Sequence, residues 1–244
     1  MVRSAATDCD YKLAVVYGER GLAAREQLTE LNPTFTTYKK IGERGYAWWP
    51  GEVKQYAELA PLTDGTKGTL VTKLPLEWSF RRDPGDVGLK EGWAKQAPDL
   101  AKWEKAAGPI PEWKRRNAVA GDWEVVRSDL YLQAQGILDK DMGSYTGHGW
   151  YHVPVELTAE QTAGDVRLKF PGLFNECWLY VNGEEVAHRE FKGLWWRNDY
   201  RFDWEVKLEG KLKPGKNAIV LRIHNPHHMG GMFRRPFLYR ATGD

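Results

Sequence analysis

The run KGLWWRNDYRFDW places Trp195 and Trp196 directly before Arg197, Asn198 and Asp199. Indole packs on the flat C–H faces of sugar rings, while Arg, Asn and Asp bond to hydroxyl groups; a carbohydrate site needs both. Neighbouring strand residues point to opposite faces, so only one of the two indoles is expected to face a ligand. The plainer reading is that both are buried or cover a sheet edge. Most of the chain's 12 Trp are expected in the core, since Trp buries a large apolar area.

A second set follows from alternation. In CWLYV, Cys177, Leu179 and Val181 point one way, and Trp178 and Tyr180 the other. By the same rule Arg167 and Lys169 of DVRLKF, and Arg222 and His224 of AIVLRIHN, point outward. All six are expected on one sheet face, either as a shallow cleft or beneath the N-terminal helices or the Trp-rich loop. A third set is the loop HNPHHMGGMFRRPF, with His227, His228, Arg234 and Arg235 around Gly230-Gly231. The glycines permit tight backbone, Met and Phe offer adaptable apolar contact, and the arginines suit a hydroxyl, a carboxylate or a partner.

Other chemistry is poorly supported. His148 and His152 are four apart in a strand-like run, and two His on one face plus a third from a loop could bind zinc. No Cys joins them and no carboxylate is suitably spaced, so neither metal nor cofactor is expected. Glycoside hydrolysis needs two carboxylates at a set separation, and nothing pairs Glu176, Glu190, Asp199 and Asp203. Phosphate-cradling Gly-rich loops and nucleophile elbows are absent from the sequence.

The chain has 244 residues, enough for one large domain or a domain with an added segment. A formal net charge of +2 gives no strong field toward nucleic acid or an anionic membrane, and neither partner is expected. Cys9 and Cys177 are isolated, and Cys177 reads as a small buried hydrophobe.

Positioning these groups falls to two kinds of element. Residues 1–60 read as a helical N-terminal segment. GLAAREQLTELNP sets Leu22, Leu28 and Leu31 at helical spacing before Asn32-Pro33, and WWPGEVKQYAELAP sets Val53, Tyr56 and Leu59 on one stripe after Pro50. Residues 61–244 read as strands. Residues 84–125 are loop-rich, with Trp93, Trp103, Trp113 and Trp123 as staples pinning long loops to a sheet. Beyond Gly149, alternating strands are punctuated by Asn182-Gly183, a two-residue hairpin signal, and by Pro214-Gly215. Short strands without intervening helices predict a mostly β, sandwich-type fold with Ile219, Leu221 and Ile223 inward.

Several pieces then fall in a recognisable order: Gly149-Trp150-Tyr151 opening a strand, Phe170-Pro171-Gly172, Val181-Asn182-Gly183, Lys213-Pro214-Gly215-Lys216-Asn217, and Gly230-Gly231 with Arg235-Pro236. Over residues 143–240, and through LPLEWSFRRDP back to about residue 70, the chain resembles the sugar-binding domain of glycoside hydrolase family 2. Residues 1–60 lie outside the resemblance. It implies a galactose-binding-like jelly roll, in a family where a separate (β/α)8 barrel carries the catalytic carboxylates. A barrel of about 250 residues does not fit in what the jelly roll leaves. The chain is thus expected to be a non-catalytic carbohydrate-binding module of a secreted, extracellular or periplasmic, polysaccharide-degrading enzyme. Its expected partners are an oligo- or polysaccharide and the parent glycosidase's catalytic domain. The alternative is a structural domain that buttresses such an enzyme without binding sugar.

Overall fold

The computed structural model describes residues 1–32, 48–95, 119–120, 123–139, 143–174, 176–190, 202–226 and 229–242. Helices α1 (Val2–Thr7), α2 (Tyr11–Leu31) and α3 (Trp48–Thr63) come first, followed by strands β1 (Gly68–Lys73) and β2 (Glu77–Asp83). The short helix α4 (Gly88–Glu91) precedes β3 (Val119–Ala120), β4 (Trp123–Arg127) and β5 (Gly147–Leu157). Helix α5 (Ala159–Thr162) leads into β6 (Val166–Phe170), β7 (Gly172–Leu173), β8 (Glu176–Val181) and β9 (Glu184–Arg189). Strands β10 (Trp204–Lys207), β11 (Gly215–Asn225), β12 (Met232–Arg234) and β13 (Phe237–Ala241) close the order.

The strands pair antiparallel in two main sheets, β1-β13-β6-β10 and β3-β4-β2-β5-β11-β8-β9, with a small β12-β7 ribbon. One core lies between the two main sheets. Cys177, Leu179, Val181, Ile219, Leu221 and Ile223 of the larger sheet belong to it, with Val166, Leu168, Phe170 and Leu238 of the smaller. The β8–β9 turn forms as its residues require, with φ of 53° at Asn182 and 84° at Gly183.

The helices cover the outside of the smaller sheet. Tyr11, Ala14, Tyr56 and Leu59 pack with Phe237 and Tyr239 of β13. Val53, Tyr56 and Leu59 are buried along the stripe expected of them. α2 covers the run expected to be helical, but Leu28 and Leu31 are exposed, and Tyr11, Ala14 and Gly18 are its buried residues. The helix begins well before Leu22, and Gly18 is where α3 comes closest, since a Cβ there would overlap Val53. α2 stops at Asn32, which is extended as the residue before a proline prefers.

The six outward residues do not share a face. Arg167 and Lys169 lie on β6 of the smaller sheet, where Arg167 bonds Asp165 and Glu205, and Lys169 bonds Asp203. Trp178, Tyr180, Arg222 and His224 do share the outside of the larger sheet, as β8–β11 pairing requires. Alternation assigns a residue to a face of its own strand; it says nothing about which of two sheets that strand joins.

Candidate functional site

The outside of the larger sheet is organised in cross-strand rows. One runs Arg81, Trp150, Arg222, Trp178, His188 across β2, β5, β11, β8 and β9. The next, toward one end of the sheet, runs Asp83, His148, His224, Glu176. Directly opposed side chains in a sheet touch, so these rows are the units of contact on this face.

The first row alternates cation and ring. The Arg222 guanidinium carbon is 4.1 Å from the Trp178 ring centroid, and the His188 ring stacks on Trp178 at 4.6 Å with a 6° interplanar angle. Because β11 and β9 flank β8 on opposite sides, both faces of the Trp178 indole are occupied, and its edge is what reaches the surface. Tyr180 is buried with Trp93, Trp123 and Trp150. Trp93 thus pins its loop to the sheet as expected, whereas Trp123 is part of strand β4 itself, and Trp103 and Trp113 lie outside the described residues. Among the described residues it is the segment after β2, through Trp93, and not the N-terminal helices, that packs on this face.

Asp83 fixes that cover. Its carboxylate accepts from the amides of Val87 at 2.8 Å and Gly88 at 2.9 Å and from Trp150 Nε1 at 2.9 Å. Gly88 has no room for a side chain, since a Cβ would overlap the Trp150 indole.

The second row carries the polar chemistry. The His148 and His224 rings stack at 4.4 Å and 19°. His148 Nδ1 lies 3.5 Å from Asp86, and His224 Nδ1 lies 3.5 Å from Glu176. Glu176 also meets His188 Nε2 at 3.0 Å, and Arg222 meets Asp86 at 2.6 Å. The contacts close a circuit: Asp86, His148, His224, Glu176, His188, Trp178, Arg222 and back to Asp86. Burial, then the nearby Arg222 charge, pushes the His148 pKa below the ordinary imidazole value.

His152 is separated from this circuit. Four residues along a strand span about 13 Å, and His152 lies against Trp123 in an edge-on contact. Burial lowers its pKa to about 4. His148 and His152 therefore cannot ligate one ion, and among the described residues no group of three His, Cys, Asp or Glu is arranged to hold a metal.

Of the residues proposed from sequence, Trp195, Trp196, Arg197, Asn198, Asp199, His227 and His228 lie outside the described residues. The strands preceding them, β9 and β11, both end beside the His148–His224–Glu176 row. Arg234 is placed elsewhere: it meets Glu52 of α3 at 3.5 Å and lies over the Phe233 ring at 5.1 Å. Arg235 bonds the carbonyls of Leu74 and Thr7. Gly230 and Gly231 are buried against Asn225 and the Tyr151 hydroxyl, and Met232 is in the core. The Gly-Gly loop is thus used for internal packing and for docking the N-terminal helices. Sequence reasoning missed His188, Asp86 and the pairing of His148 with His224. The first and last were legible as outward strand positions, but their meeting depended on cross-strand register.

No protein-family model and no curated protein matches the chain in sequence. Solved structures do match in fold. They include β-glucuronidase of Ruminococcus gnavus, with TM-score 0.52 and 17% identity over 72% of this chain and 29% of that one. The same enzyme in complex with D-glucaro-δ-lactam gives 0.51 and 17% over 72% and 30%, and its complex with D-glucuronic acid gives the same values. The chain shares its β-sandwich fold with part of those structures. It spans under a third of the length of those proteins, and the likeness extends to architecture alone.

Proposed function

We propose that this chain is a non-catalytic carbohydrate-binding module of a secreted polysaccharide-degrading enzyme, meeting sugar at the end of the larger sheet that carries the His148–His224–Glu176 row. One observation carries the reading. Polar groups with hydrogen-bonding capacity on both sides of the ledger, His148, His188, His224 and Glu176, gather beside the edge of Trp178, where β9 and β11 lead into residues 191–201 and 227–228. Trp195 or Trp196 supplies the stacking platform in this reading, with Arg197, Asn198, Asp199, His227 and His228 as hydroxyl partners. Trp178 borders the site, and Tyr180 lies one cross-strand row farther from it, buried among Trp93, Trp123 and Trp150.

The carboxylates of this end favour binding over hydrolysis. Asp83 is taken up by two amides and an indole N–H, Asp86 by Arg222, and Glu176 by two imidazoles. The parent enzyme's catalytic domain is the protein partner, and export with that enzyme is the expected location.

The second reading, a buttress that binds no sugar, is favoured by a different observation: Trp178 is enclosed on both faces and Tyr180 is buried. A glycan array probed with the intact chain separates the two. Retention on a defined set of oligosaccharides supports the module; no retention on any plant, algal or bacterial glycan supports the buttress.

A further inference from the structure

The circuit around His148 and His224 has a property that holds whether or not sugar binds there. Among the described residues three carboxylates face it: Asp83 from the end of β2, Asp86 from the loop that follows, and Glu176 from β8. Among the same residues one guanidinium faces it, Arg222 of β11, since Arg81 lies over Trp93 in the neighbouring row. With neutral imidazoles the group has an excess of two negative charges. Two protons bring it to neutrality and a third makes it cationic.

The three imidazoles are not equivalent. His188 and His224 both face Glu176, whereas His148 faces an Asp86 carboxylate that Arg222 already holds at 2.6 Å. The His148 side chain is also the most enclosed, at 19% exposure against 33% for His188 and 34% for His224. Stacked neutral rings attract, but two imidazolium rings face to face at 4.4 Å repel, and both carboxylates beside His148 are shared, Asp86 with Arg222 and Asp83 with two amides and the Trp150 N–H.

We propose that this end of the larger sheet is a proton-operated switch, in which acidification charges both stacked rings, separates His148 from His224 and turns this group of side chains from anionic to cationic. Neighbouring sites that interact this strongly load their protons in coupled steps.

The test is a histidine-resolved NMR titration of the intact chain between pH 8 and pH 4.5. Its six histidines are assigned by single His→Gln variants. The switch predicts that ring-to-ring contacts between His148 and His224 disappear as His148 titrates, while amide signals of Ile219, Leu221 and Ile223 stay in place. His224→Gln should then raise the His148 midpoint by several tenths of a pH unit or more. Arg222→Gln should raise it as well, which provides a second route if either variant folds poorly. Ring contacts that persist through the full titration, or a His148 midpoint unmoved in both variants, would overturn the proposal. So would loss of the contacts only together with the core amide signals, because that is global unfolding. No sugar enters the experiment, so its outcome is separate from that of the glycan array.

Discussion

His152 sits on the outward face of β5, enclosed beneath Trp123, with its Nδ1 buried and without a hydrogen-bond partner. Its pKa falls from 6.5 to about 4 because burial disfavours the charged ring. Between those values the unfolded chain binds a proton that the folded chain refuses. The stabilisation is therefore complete above about pH 6.5 and is lost as pH falls toward 4, amounting to roughly 3 kcal/mol. Urea unfolding at pH 7.5 and pH 4.5 should show this loss in the wild type and a clearly smaller one in His152→Gln; equal losses would mean that the ring is solvated. Gly231 makes a second residue-scale case. Its φ is +81° and a Cβ would overlap the Tyr151 hydroxyl, which accepts from the Met232 amide. Gly231→Ala should cost at least 1 kcal/mol in thermal or urea unfolding, from left-handed strain and displaced packing. The sequence shows that glycine frees the backbone here; that Tyr151 from another strand is the reason depends on a contact 80 residues away in the chain.

At the scale of elements, the outward and inward sets of β8 and β11 were legible because a period of two leaves one choice of face once the apolar set is identified. Leu221 is fully buried between the sheets. Leu221→Ala should cost roughly 2–5 kcal/mol if a core cavity remains; a change within ~0.5 kcal/mol would assign it to the surface. The placement of β6 in the opposite sheet was not legible, because nothing local to DVRLKF says which strand it pairs with. The same limit applies to α2, whose packing face is set by where α3 passes Gly18. The loop after β2 depends on Asp83, whose removal leaves two amides and the Trp150 N–H without their acceptor. Asp83→Ala should therefore cost about 2–4 kcal/mol, since an unsatisfied buried donor forfeits its desolvation, and limited proteolysis should cut first within residues 84–95. Unchanged cleavage would show that Trp93 alone holds the loop.

The whole molecule is layered: helices on the smaller sheet, a sandwich core, and a Trp-pinned loop on the larger sheet. One end of the larger sheet brings three imidazoles together with carboxylates and a guanidinium, where β9 and β11 end. The mostly β class and the order of turns were readable from alternation and from Asn182-Gly183. The polar circuit was not, since its members come from five separate segments of chain. With its described carboxylates at that end already engaged, the intact chain should release no reducing ends from polysaccharides; turnover abolished by one Asp or Glu substitution would remove the non-catalytic reading. The central claim is that sugar binds here through one exposed indole and a few hydroxyl bonds. Calorimetric titration of the intact chain with an array-positive oligosaccharide tests it most directly. Neutral hydrogen bonds net ~0.5–1.5 kcal/mol each, so the account predicts saturation at micromolar to millimolar levels, about −8 to −4 kcal/mol. It also predicts that Trp195→Ala and Trp196→Ala weaken binding unequally. Absence of heat and of competition at any accessible concentration, or undiminished binding in both variants, would contradict it.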